Sequence, residues 1–352
     1  MGSADVFDQE VKALKKQSMT PHDHLISLLA SYSYRERHYL IFPWAEADLY
    51  RYWKDMNPVP SLELGSSYTP WVMRQCLGLA RGLAELHEAR VGDDNHANSG
   101  DEHLLYGRHG DIKPENILVR SGGPVVNIGY TNTYAPPEVL LQRSIIQAFD
   151  IWSLGCAYLE FVTWLLYGWQ GVEKFSQRRA REDDLTPGHF ATDAFYQTTI
   201  ADETELTTLK QAILETIQLL RAHTKVSEAI QEILNMIQDD MLRIEHTERI
   251  NTPALVQKLQ EIVTLCQRSN DYATTPVPRA AKTEAPTQYA LSKAFKEGQP
   301  DLAPEPQATP HSGRQFSRIR VYSARRKSAL RRSVSTRMSI VEQLAHIGGY
   351  HA

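Results

Sequence analysis

Cysteine is scarce in this chain of 352 residues: Cys76, Cys156 and Cys266 stand far apart, with no Cys-x-x-Cys pair among them. That spacing excludes a zinc module and a disulfide scaffold, and it points to a reducing compartment. Long apolar runs are missing too. None approaches the roughly 18 residues that a membrane span requires, so no span is expected. The start, Met1-Gly2-Ser3-Ala4-Asp5, has no apolar signal core, and Val6 stands where a myristoylation site would carry Ser or Thr. These absences describe a soluble, intracellular chain, cytoplasmic and/or nuclear. Acid is absent from two stretches: no Asp or Glu occurs from Val119 to Pro137, and none from Arg314 to Arg337.

Apolar residues make up 42% of the chain and charged residues 23%, enough for a substantial core within a soluble protein. The net charge of −4 is unevenly spread, because 13 basic and 6 acidic residues lie from Ser269 onward. An acidic globular body followed by a basic tail is the expected arrangement.

Residues 8–18 read as an amphipathic helix, with Phe7, Val11 and Leu14 on one stripe and Lys12, Lys15 and Lys16 on the other side. His24–Tyr34 and Arg37–Phe42 are β-branched and aromatic runs around Arg35-Glu36, the pattern of a hairpin. Trp71–Glu88 is a helix by its steps of three and four: Met73, Cys76, Leu77, Ala80, Leu83, Leu86. The stretch from Val91 to Glu102 is an insertion of turn-forming residues. Its Asp93-Asp94 and His96 could suggest metal ligation, but a solvated loop is the simpler reading without a second cluster. Ile117–Val119 and Val125–Ile128 are short strands joined by a glycine turn. The apolar run from Ile151 to Leu166 reads as a central helix, too short to be a membrane span. A long loop is expected at Gln170–Tyr196. One helix is marked by Leu206, Leu209, Ile213, Ile217 and Leu220, another by Ile230, Ile233, Ile237 and Met241.

The stretch that carries chemistry is His109-Gly110-Asp111-Ile112-Lys113-Pro114-Glu115-Asn116. An Asp can take a proton from an attacking hydroxyl, a Lys two residues on can neutralise a phosphate, and an Asn five residues on can hold a metal ion. Asp-x-Lys-Pro-x-Asn resembles the catalytic loop of the eukaryotic protein kinases, in its Ser/Thr-specific form. Ala135-Pro136-Pro137-Glu138 resembles the Ala-Pro-Glu that ends the kinase activation segment. Asp150-Ile151-Trp152-Ser153-Leu154-Gly155 resembles the start of the post helix of the C-lobe, and Arg249 follows at a plausible distance.

The resemblance covers roughly residues 7–267 and implies an α+β, protein-kinase-like fold. A partial N-lobe would occupy 1–45, a mainly helical C-lobe 46–267, and a disordered Pro/Thr-rich linker with a basic tail 268–352. Asp111 and Lys113 become the catalytic candidates. Glu46, in the hinge segment Pro43–Leu49, and Asn116 become the cofactor-binding candidates, with Asn116 also the metal ligand. Glu138, Asp150 and Arg249 become structural, with Arg249 the ion-pair partner of Glu138. Glu10 would take the place of the N-lobe helix glutamate. His109 reads as a hydrogen-bonding core histidine. Gly110 stands where the family has the Arg that receives an activation-loop phosphate, so regulation of that kind is not expected.

Three parts of the family pattern do not occur. Only nine residues precede Glu10, with one glycine and no lysine, leaving no room for a glycine-rich strand pair or its Lys. Asn127-Ile128-Gly129 stands where Asp-Phe-Gly is expected, and most of the activation loop is absent. ATP and magnesium are the cofactors the resemblance implies, with weak or no binding expected. Three readings stay open: a truncated form of an active Ser/Thr kinase, a pseudokinase scaffold for protein partners, and an adaptor working through its tail. Arg314–Arg337 holds nine Arg or Lys interleaved with serines, a possible polyanion or import-receptor contact or phosphorylation site. The oligomeric state is left undetermined.

Overall fold

A large apolar cluster and a small one organise the protein. The computed structural model describes residues 11–12, 14–15, 22–35, 37–56, 65–88, 107–120, 123–126, 133–139, 146–184, 192–201, 204–277 and 319–324. Glu10, Asp93, Asp94, His96, residues 127–132 and most of Arg314–Arg337 fall outside them.

The small cluster joins Val11 and Leu14 to Ile26, Leu40, Phe42, Ala45 and Leu118. Strands β1 (Ala30–Tyr34) and β2 (Arg37–Pro43) form the antiparallel hairpin, with Tyr34 opposite Arg37. Arg35 takes φ 46 at the turn, the left-handed geometry that two-residue hairpin loops demand. Alternation puts Leu40 and Phe42 on the covered face of β2, 8% and 3% exposed. On the other face Tyr32 stacks on Tyr39 with ring centroids 4.7 Å apart. A second sheet orders β3 (Ala47–Asp48), β4 (Ile117–Arg120) and β5 (Gly123–Val126) side by side. Asp48 then caps the short helix α1 (Leu49–Arg51), accepting from the Arg51 amide at 2.8 Å.

The large cluster is helical. Helix α2 (Gly65–Glu88) buries Val72, Met73, Cys76, Leu77, Ala80 and Leu83 along one stripe. It begins a turn and a half before Trp71, with Pro70 inside it. Helix α3 (Ala148–Asp184) is the central post, and Trp152, Tyr158, Phe161 and Trp164 on it are fully buried. Around these pack α4 (Gln211–Arg221), α5 (Glu228–Met236) and α6 (Thr252–Arg268), with α6 lying along α2. The packing continues into α7 (Asn270–Thr274), where Tyr272 and Ala273 join the core.

Three local expectations are corrected. The segment after Gln170 is not a loop at its start: α3 bends at Gly168 (φ 66) and runs on to Asp184. Val172, Phe175 and Arg179 recur at helical spacing there, and all three are buried. Leu206 and Leu209 are not helical. They belong to β7 (Thr204–Leu209), paired with β6 (Tyr196–Ala201) in a hairpin whose threonines favour extended backbone. The third concerns membranes, because α3 is long and apolar enough to cross one over Ala148–Arg181. Burial decides instead, since 94% of its apolar window lies inside the protein.

Within the tail expected to be without order, Ile319–Ala324 forms a strand, β8, antiparallel to β2.

Candidate functional site

The loop 109–116 is held from below by the first turn of α3. Asp150, fully buried, accepts the His109 amide at 2.8 Å and the Gly110 amide at 2.7 Å. His87, brought in by the end of α2, lies 2.9 Å from the same carboxylate through Nε2. Two backbone donors and a ring nitrogen therefore converge on one carboxylate and set the height of the loop. Gly110 turns the chain with φ 80, where a residue carrying Cβ is strained. Gln147, just ahead of α3, donates to the His87 carbonyl at 2.7 Å and closes the platform.

Asp111 sits above this platform and is 5% exposed. Its amide donates to His109 Nδ1 at 3.2 Å. Lys113 Nζ lies 3.6 Å from Asp111 Oδ2, and Asn116 Nδ2 donates to that same oxygen and, at 3.0 Å, to the Asp111 carbonyl. A single 3-10 turn, Pro114–Asn116, folds Asn116 back to Asp111, with the Asn116 amide on the Lys113 carbonyl at 2.9 Å. The chain thus brings Asp111, Lys113 and Asn116 together around one carboxylate oxygen. Such an arrangement sets a carboxylate beside a cation, the chemistry a proton acceptor for a hydroxyl would need.

Glu46 stands on the segment that leads into the second sheet. It is exposed between β2 and β3, and its amide donates to the Val119 carbonyl at 3.0 Å. Glu138 and Arg249 form a buried bidentate pair beside the start of α3, with Arg249 also donating to the Arg243, Ile244 and Ala148 carbonyls. The Arg249 guanidinium lies 5.0 Å from the Trp152 ring centroid.

A second buried network was not found by sequence reasoning. Tyr134 donates to Glu160 Oε2 at 2.7 Å, and Arg179 donates to Glu160 Oε1 at 2.8 Å. Arg179 lies between Phe175 and Phe195, 4.2 Å from each ring centroid. Asp193 accepts from Thr133 at 2.6 Å, and Lys210 donates to the Arg179 and Thr192 carbonyls, both at 2.9 Å. Burial lifts the Glu160 carboxyl and the Tyr134 phenol above their usual ranges, with Arg179 opposing both. The network ties residues 133–134, the end of the segment after the loop 109–116, to both halves of α3. The available signal was a Glu within an apolar helical run and an Arg on the stripe of Val172 and Phe175.

A scan against protein-family models found no match. Among curated proteins the chain is similar to cyclin-dependent kinase 4 of sheep (Ovis aries), pig (Sus scrofa) and cattle (Bos taurus). Each is 29% identical over 174 residues, which cover 43% of this chain and 50% of the relative. This similarity supports a relationship to protein kinases. The chain spans about half the length of the curated relatives it matches. A mostly helical body with small sheets is compatible with a reduced kinase-like fold.

Kinases use ATP and magnesium, so the donor set can be tested against the metal. Magnesium takes six oxygens and favours carboxylates. Among the described residues no group of three His, Cys, Asp or Glu could hold a metal ion. The sequence from Val119 to Pro137 offers no acid, and Asn116, whose Nδ2 donates to Asp111, has its Oδ1 as the oxygen it could offer a cation. Asn116 would hold the ion by its oxygen, and the second carboxylate that phosphoryl-transfer sites add has no counterpart in the sequence from Val119 to Pro137.

Proposed function

We propose that this chain is a protein-kinase-like domain of the Ser/Thr type whose own phosphoryl transfer to protein Ser or Thr is strongly impaired. One observation carries the reading: Asp111, Lys113 and Asn116 converge on one carboxylate oxygen above the Asp150 platform, and no acid follows in the place that would complete a magnesium site. The first half supports the kinase relationship and Asp111 as proton acceptor. The second removes the charge that phosphoryl transfer leans on, since that chemistry rests on positioning and electrostatic stabilisation. Glu46 and Asn116 remain the proposed contacts to a nucleotide, weakly held.

A kinase-like body without strong turnover acts by binding, so protein partners are its proposed ligands. The basic stretch Arg314–Arg337 is the proposed contact to a polyanion or import receptor, which would place the chain in the cytoplasm, the nucleus or both. The deciding experiment is transfer of the γ-phosphate of radiolabelled ATP, with magnesium, to a generic basic protein substrate. The expected result is incorporation no higher than that of Asp111→Asn, with a thermal shift under ~1 °C on adding Mg-ATP. Robust incorporation that Asp111→Asn abolishes would overturn the impairment and leave the kinase assignment standing.

A further inference from the structure

We propose that the C-terminal segment Ile319–Ala324 is a built-in strand that completes the N-terminal sheet of its own chain. The pairing runs over six residues of β2: His38 with Ala324, Tyr39 with Ser323, Leu40 with Tyr322, Ile41 with Val321, Phe42 with Arg320 and Pro43 with Ile319. It makes β2 the middle strand of the order β1-β2-β8. This inference does not depend on the reading of Asp111.

The need for a third strand follows from β1 and β2 themselves. A lone two-stranded hairpin is marginal in water, and an unpaired edge recruits other chains. β1 is mostly exposed and can cover only one side of β2. Yet β2 supplies Leu40 and Phe42 to the small cluster with Val11, Leu14, Ile26 and Leu118, so its position fixes that cluster. A strand on its open edge satisfies the outward-facing amides and carbonyls and holds β2 at its register.

The occupant has the properties the edge requires. Ile319, Val321 and Tyr322 are residue types that favour strands. All seven prolines after Ser269 lie at or before Pro310, so none interrupts the ladder. Because the segment belongs to the same chain, pairing is intramolecular and is favoured by the effective concentration that the tether confers over strands of other molecules. The new outer edge is guarded as well. The sequence in and beside the segment carries Arg318, Arg320, Arg325, Arg326 and Lys327, charge that discourages a further strand from adding.

Hydrogen exchange of the full chain tests this directly, read by mass spectrometry on a peptide spanning 38–43, whose exchanging amides are those of His38 to Phe42. Successive residues of a strand point their N–H groups to opposite sides, so one of Val321 and Tyr322 must donate into the ladder. The double variant Val321→Pro/Tyr322→Pro therefore removes a ladder bond, while Val321→Ala/Tyr322→Ala keeps both donors. The proline pair should speed exchange at 38–43 at least tenfold, with α2, α3 and α6 unchanged; the alanine pair should change it by less than threefold. Unchanged exchange in the proline pair would overturn the assignment. Should the proline chain fail to fold, a chain ending at Arg318 serves instead: a synthetic peptide of residues 317–326 should restore protection saturably. No restoration, with protection already at the full-length level, would also overturn it. Light scattering on the full chain should give a monomer, and protection that rises with concentration alongside a dimer mass would overturn pairing within one chain.

Discussion

Arg249 holds both oxygens of Glu138, Nη1 to Oε1 at 2.7 Å and Nη2 to Oε2 at 2.9 Å, across 111 positions of sequence. Both side chains are almost completely buried. The pair fastens the short turn at Pro137–Val139 to the chain entering α6, and Arg249 also donates to the Ala148 carbonyl at the start of α3. Removing one member leaves a buried charge without its partner, which typically costs about 3–5 kcal/mol. Glu138→Gln and Arg249→Met should each lose that much in urea denaturation. The double variant Glu138→Leu/Arg249→Met should lose less than the two single losses combined, because no lone charge remains. Strict additivity would show that the two residues do not act as a pair.

The platform under the loop 109–116 has its own signature. Asp150 accepts two backbone amides and faces His87, so Asp150→Asn replaces one acceptor oxygen by a donor aimed at another donor. Hydrogen bonds to a charged group contribute about 1.5–3 kcal/mol each. The variant should lose at least ~2 kcal/mol of stability, and the amides of His109 and Gly110 should exchange faster than those of α6. Uniform acceleration across all helices would mean that Asp150 supports the whole fold rather than the loop.

What was legible in the sequence, and what was not, follows from the range of the interactions. Helices α2 and α5 announced themselves because their apolar residues repeat at three and four. The hairpin β1–β2 was visible because a polar dipeptide separates two strand-forming runs. The threonine-rich hairpin at 196–209 was misread, because Leu206, Leu209 and Ile213 happen to fall at helical steps across a strand and a helix. At the site, Asp111, Lys113 and Asn116 lie within six residues, so spacing alone brings them together. The network of Tyr134, Glu160, Arg179 and Asp193 is assembled from separate segments, and no local pattern reports which carboxylate meets which guanidinium. β8 was hidden for the same reason: its partner lies some 280 positions earlier.

Gly110 explains itself by backbone geometry more than by space. At φ 80 a side chain is strained, while an added Cβ would find its nearest neighbour, Arg108 Nε, at an ordinary 3.4 Å. Gly110→Ala should therefore lose only about 1–2 kcal/mol, the cost of left-handed backbone. Urea denaturation measures it. A loss beyond ~4 kcal/mol would mean that the loop cannot accept any side chain at this position.

The three thiols give a pH-dependent test of burial. Cys76, Cys156 and Cys266 are free and buried, and burial pushes all three upward, Cys266 to about 11 from 9.0. A group raised on folding stabilises the native state fully below its unfolded value and loses that contribution as pH climbs through the folded one. For Cys266 that window runs from about 9 to about 11. At pH 8 the same shift cuts its thiolate about 100-fold, offset in part by the greater nucleophilicity of a more basic thiolate. Labelling of the native chain by a disulfide reagent at pH 8 should therefore be at least ~10-fold slower than in denaturant, where three thiols react together. Cys266→Ser should remove the phase that accelerates most between pH 9 and 11. Native labelling as fast as denatured labelling would show that α6 does not keep Cys266 packed against the core.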